Sequence, residues 1–122
     1  MPLSVTGRAA TDRAPRYLKQ LASHLSEELA VDVDADGTAR VHYEDAVTTL
    51  TATARTLEYA ITGEVELQVY RSMGIVAGHL EKFGAREGLA CTWDDAQVEA
   101  AYEAKKAQIA QQRRAEVAAQ KS

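Results

Sequence analysis

The stretch Val65-Glu66-Leu67-Gln68-Val69-Tyr70-Arg71-Ser72-Met73-Gly74-Ile75-Val76-Ala77-Gly78-His79-Leu80-Glu81-Lys82-Phe83 decides the fold. Its first half can extend a strand, because Val65, Leu67 and Val69 continue the alternation of Leu57, Tyr59 and Ile61. Yet Val65, Val69, Met73, Val76, Leu80 and Phe83 recur every three or four residues. That stripe runs for about five turns, and its length favours a helix. Thr62 is placed to cap its start and Gly88 to end it.

Outward from this helix the pattern changes to period two. Leu3, Val5, Gly7 and Ala9 alternate with Ser4, Thr6 and Arg8, which predicts a half-buried strand over 3–10. Thr11-Asp12 offers a cap and Pro15 fits the first turn, so Leu18, Leu21, Ala22, Leu25 and Leu29 predict a helix over 13–29. Val31 and Val33 begin a strand that ends in Asp36-Gly37, a two-residue hairpin signal. Ala39, Val41 and Tyr43 form its partner, with Glu44-Asp45 as the next turn. The threonine-rich run 47–54 and the alternation of Leu57, Tyr59 and Ile61 add two strands, or one bent strand about Arg55-Thr56. Leu89, Cys91 and Trp93 make a last one. Asp94-Asp95 then opens an alanine-rich helix whose apolar stripe is thin: Val98, Tyr102 and Ile109. The expected class is α+β. We expect a single two-layer domain, a mainly antiparallel sheet of about six strands with two main helices on one face, plus a C-terminal helix. Residues 1–93 form the core domain and 94–122 a helical extension.

Composition narrows the function classes. The chain has 122 residues, enough for one core but not two. Fourteen Lys and Arg against 18 Asp and Glu give a net charge of −4, which argues against nucleic-acid binding by bulk charge. No apolar run approaches the roughly 20 residues needed to span a bilayer, and the opening residues lack a signal-peptide pattern. A single cysteine, Cys91, permits no internal disulfide. A cytoplasmic location is expected.

Candidate sites are few. Asp32, Asp34 and Asp36-Gly37 mimic the opening of an EF-hand loop, but position 12 is Tyr43 and strands flank it, so an acidic hairpin is the better account. No Gly-x-Ser-x-Gly elbow and no glycine-rich phosphate loop occur. Cys91 alternates with Leu89 and Trp93 and is expected in the core as an inert thiol. His24 sits on the flank of the first helix, beside Tyr17, and has Glu28 one turn on as a candidate partner. His79 flanks the stripe of the second helix. If both helices lie on one sheet face, His24 and His79 meet at the seam, where two imidazoles can bind a transition metal or a haem iron. Capping hydrogen bonds at the core edge is the plainer role for each. Arg86 and Glu87 suit an anionic or carboxylate ligand, or simply the end of a helix.

One feature is costly. Gly74 and Gly78 lie opposite the aliphatic stripe with Arg71, and together cost about 2 kcal/mol against alanine. They suggest an interaction face for the tail helix, from this chain or from a second copy in a homodimer.

Arg16-Tyr17-Leu18-x-x-Leu21-x-x-His24 resembles the first-helix pattern of the bacterial domain of unknown function 2218 family. His79-Leu80-Glu81-Lys82-Phe83-x-x-Arg86-Glu87-x-Leu89-x-x-x-Trp93 resembles its second-helix and last-strand pattern, and Gly7-Arg8-x-x-Thr11 its opening. The likeness covers 3–93. It departs at Gly84-Ala85, where an aromatic is common, and in the tail. The family has no established activity. Some members are encoded beside, or fused to, flavin-dependent siderophore-interacting reductases. The resemblance therefore implies an accessory or binding protein linked to iron, with iron or haem as the group to test and such a reductase as a partner. A module that dimerises or docks on a redox enzyme is the alternative. No nucleophile–base pair supports an enzyme.

Overall fold

The computed structural model describes residues 2–121. Its elements are β1 (Leu3–Ala10), α1 (Ala14–Leu25), β2 (Ala30–Val33), β3 (Ala39–Tyr43), β4 (Ala46–Ala52), β5 (Thr56–Gly63), α2 (Glu66–Phe83), a 3₁₀ turn (Ala85–Glu87), β6 (Cys91–Trp93) and α3 (Ala96–Lys121). The six strands form one antiparallel sheet in the order β2-β3-β4-β5-β1-β6. Helices α1 and α2 cover one face of it, and α3 lies against α2. No helix among the described residues is long and apolar enough to cross a membrane.

Alternation decides which side of the sheet is covered. Val5, Ala9, Leu57, Tyr59, Ile61, Val41 and Leu50 face the helices and are buried. Ser4, Thr6, Arg8, Glu58 and Thr51 face away and are exposed. From the helices, Leu18, Leu21 and Leu25 of α1 and Val69, Met73, Val76 and Leu80 of α2 close the core. The stripe that decided the fold is therefore helical, and Val65 stands just outside it as the N-cap, 44% exposed.

Several local details differ from the sequence expectation. Thr62 does not cap α2; it stays in β5 and accepts a hydrogen bond from Ser4 Oγ at 3.0 Å. Helix α1 ends at Leu25 rather than 29, with Leu29 N–H still donating to the Leu25 carbonyl at 2.8 Å. The β2–β3 loop holds three residues, Ala35-Asp36-Gly37, between paired Asp34 and Thr38. Gly37 takes φ 91°, as a type I turn closed by a bulge requires. Its acids are occupied locally: Asp34 by Arg40, Asp36 by the Thr38 N–H, Asp32 by His42. Between β4 and β5 the chain turns, as Thr53 Oγ1 accepts the N–H groups of Arg55 and Thr56. At the start of α3 the two acids divide. Asp95 caps the helix by accepting from Gln97 and Val98, whereas Asp94 returns to β1 and takes Thr6 Oγ1 at 2.7 Å and Arg8 at 3.1 Å.

Gly7 is where β1 tolerates no side chain. A Cβ there would lie 2.1 Å from the Thr92 carbonyl oxygen and 2.6 Å from Tyr59 Cε1. Backbone and a ring that is itself packed on Trp93 at 4.8 Å leave no room to yield. Gly7→Ala is expected to lower stability by about 1–3 kcal/mol or more through overpacking, read as a lower denaturation midpoint with unchanged slope. Beside it, burial pushes the Cys91 thiol from its ordinary 9.0 up to about 11. Unfolding frees that thiol to ionise, so stability is lost as pH rises from about 9 towards 11. At pH 8 a thiol-specific reagent should label Cys91 far more slowly in the folded chain than in denaturant; equal rates would remove the burial account.

Candidate functional site

Leu18, Leu21 and Leu25 point α1 at the sheet, and this rotation leaves His24 on the side facing α2. Leu80 does the same for α2 and leaves His79 facing α1. The two rings meet at 5.0 Å between centroids, tilted by 54°. Phe83 backs both, 5.8 Å from His24 and 6.0 Å from His79. His24 turns to this ring cluster and not to Glu28. His79 Nδ1 lies 2.7 Å from the Ile75 carbonyl oxygen. A carbonyl only accepts, so Nδ1 carries the proton and Nε2 of the neutral ring keeps its lone pair. A backbone carbonyl orienting an imidazole in this way is the usual support for a ligating histidine.

The remaining predicted residues part company. Glu87 accepts hydrogen bonds from the Tyr17 hydroxyl and from Thr11 Oγ1, the latter at 3.2 Å. The Glu87 carboxylate holds the Tyr17 hydroxyl above its ordinary pKa. Tyr17 and His24 are seven residues apart on α1, roughly 10 Å of helix. Glu87 therefore ties the 3₁₀ turn to the start of α1 at the far end of the seam, away from the imidazoles. Arg86 is exposed beside it. The space at Gly84 is filled by Leu89: a Cβ would stand 2.5 Å from that side chain.

Outside α2 lies a groove of about 1080 Å³, with α3 as its other wall. His24, His79 and Phe83 line it together with Arg71, Gly74 and Gly78. Tyr102 of α3 covers Gly74, where a Cβ would be 3.6 Å from its hydroxyl, but nothing stands within 4 Å of the position above Gly78. The tail helix thus packs in cis over one glycine and leaves the other open. The sequence pointed to the tail helix as the cover of this face, but not to the cations that α3 adds to the groove. Tyr102, Lys106, Ile109 and Arg113 recur at helical spacing, a stripe masked because half of it is charged.

The pair can supply at most two protein ligands. Among the described residues no group of three or more His, Cys, Asp or Glu is placed to hold a metal ion. With metal–nitrogen bonds of about 2.0–2.1 Å, imidazoles on opposite sides of a metal hold their centroids roughly 6 Å apart. At 5.0 Å the two rings stand closer together than that, so His24 and His79 would hold a metal from one side. Two imidazoles would leave most of a metal's coordination positions to ligands that the metal brings.

A comparison with curated proteins found no match. Among solved structures the chain is similar to the NMR structure of PA4090 from Pseudomonas aeruginosa, with a TM-score of 0.64, 22% identity, and coverage of 76% of this chain and 96% of that one. At that identity the likeness shows the fold alone. The family model described as an uncharacterized protein conserved in bacteria, DUF2218, matches residues 6–94, which hold nearly all of the sheet, both main helices and both imidazoles. The chain therefore belongs to the DUF2218 family.

Proposed function

We propose that this protein is a binding or accessory protein whose ligand presents a metal, iron in the first instance, to the His24–His79 pair. The observation that supports this is the pair itself: two imidazoles at 5.0 Å on the wall of a groove, one oriented by a carbonyl so that Nε2 is left to coordinate. Two protein ligands alone hold a free ion poorly, because its other positions stay with water. A ferric chelate or a haem brings those ligands itself and needs only one or two more. The resemblance to proteins encoded beside siderophore-interacting reductases points in the same direction, and such a reductase is the partner to seek.

Titration of the full chain with ferric haem, followed in the visible spectrum, tests the proposal. An imidazole-ligated spectrum is expected, lost in His79→Ala and weakened at least tenfold in His24→Ala. Circular dichroism should show both variants folded, since neither ring is fully buried. A parallel titration with a ferric chelate separates the two ligand forms. A His24→Ala/His79→Ala double variant that binds both as the natural chain does would remove the metal role.

A further inference from the structure

The groove between α2 and α3 is electrostatically unlike the rest of the molecule. Of the chain's 14 Lys and Arg, five line it: Arg71, Lys82, Lys105, Lys106 and Arg113. Of its 18 Asp and Glu, only Glu81 does. Among the described residues none of the five cations is in an ion pair; the three pairs present lie elsewhere, at Arg8, Arg40 and His42. Arg71 donates to the Tyr43 hydroxyl at 3.2 Å and Lys106 stands over the Tyr102 ring at 5.8 Å, so two of the charges are held by aromatic side chains of the groove itself. Clustering unpaired cations in a chain of net charge −4 raises their mutual repulsion, which an anion relieves. Tyr43, Tyr70, Phe83 and Tyr102 supply ring faces and edges between the charges.

We infer that this groove is a binding site for a flat aromatic polyanion, and that α3 determines its selectivity. The inference rests on the groove being the ligand site proposed above, but not on the metal. Three of the five cations and Tyr102 belong to α3, beyond the family match that ends at residue 94. The open space above Gly78 admits a ring system onto α2 where a side chain would stand. At about 1080 Å³ the groove matches the upper end of small-molecule sites and suits a cofactor-sized ligand. A second copy packed symmetrically on the same face would set five cations against five, which disfavours a homodimer there.

The test uses pairs of probes that differ in charge. Metal-free protoporphyrin IX, a dicarboxylate, is compared with its neutral dimethyl ester, and flavin mononucleotide with neutral riboflavin, each by fluorescence titration of the full chain. At least one anion is expected to bind ten times more tightly than its neutral counterpart, and to weaken as salt is raised. Which anion binds distinguishes a carboxylate from a phosphate ligand. Lys106→Glu/Arg113→Glu should lose at least tenfold in affinity, whereas Arg16→Glu, the same charge change outside the groove, should not. Gly78→Leu should fill the open space: the melting temperature holds or rises because glycine leaves the helix, while binding falls at least tenfold. Because these probes carry no metal, their binding is read independently of the haem and ferric-chelate titrations, so a failed metal role and a failed groove give different results. Equal binding of charged and neutral probes, no change in Lys106→Glu/Arg113→Glu, or displacement of the porphyrin by an equal concentration of single-stranded oligonucleotide would overturn the inference.

Discussion

Val69, Met73, Val76 and Leu80 are each no more than 1% exposed, and their seating on the sheet fixes the rotation of α2 about its axis. Each buries a side chain worth about 1.5–3 kcal/mol, so turning the helix by one residue would expose several at once. Everything else on α2 follows from that angle. His79, one residue before Leu80, is carried about 100° round to the α1 side. Gly78, another 100° on, is carried to the outer surface, and Arg71 and Gly74 go with it. The imidazole pair and the glycine floor are therefore two consequences of one apolar stripe, and neither can move without breaking the core.

The sheet beneath holds that stripe in place through its own alternation. Tyr59 is 2% exposed and donates its hydroxyl to the Thr92 carbonyl at 2.9 Å, while its ring rests on Trp93. Burial raises the pKa of that hydroxyl well above its ordinary value, so it stays protonated and keeps the bond. The bond joins β5 to β6 across β1, whose Gly7 leaves the space the ring needs. Trp93 in turn meets Tyr102 at 6.3 Å, which is how the edge of the sheet reaches the third helix.

Hydrophobic periodicity alone makes the strands and the rotation of α1 and α2 legible in the sequence. The bounds of β1 and the meeting of His24 with His79 both follow from which residues must be buried. What could not be read was decided by side chains with several possible partners. Thr62 caps nothing because Ser4, 58 residues away, stands opposite it in the β1–β5 ladder. Glu87 looks like a ligand-binding carboxylate, but Tyr17 and Thr11 claim it first. The groove was legible in part: Gly74 and Gly78 marked the face on which the tail helix packs, but α3 carries too little apolar surface to show that it docks loosely and leaves a cationic groove beside Gly78.

That weak docking bears on the groove. Among the described residues of α3 only Val98 and Tyr102 are fully buried, at 8% and 5% exposure, and beyond Ala110 the described side chains are exposed. Two buried side chains contribute a few kcal/mol at most. A ligand at a hundred times its Kd adds about 2.7 kcal/mol to the state that binds it. A ligand contacting both helices is therefore comparable in strength to the anchor that holds α3 in place. Alanines along α3 keep it helical without adding apolar anchors, and its charged stripe is left free to face α2. The helix is held firmly enough to form a wall and loosely enough that what lies in the groove would decide how well it is held.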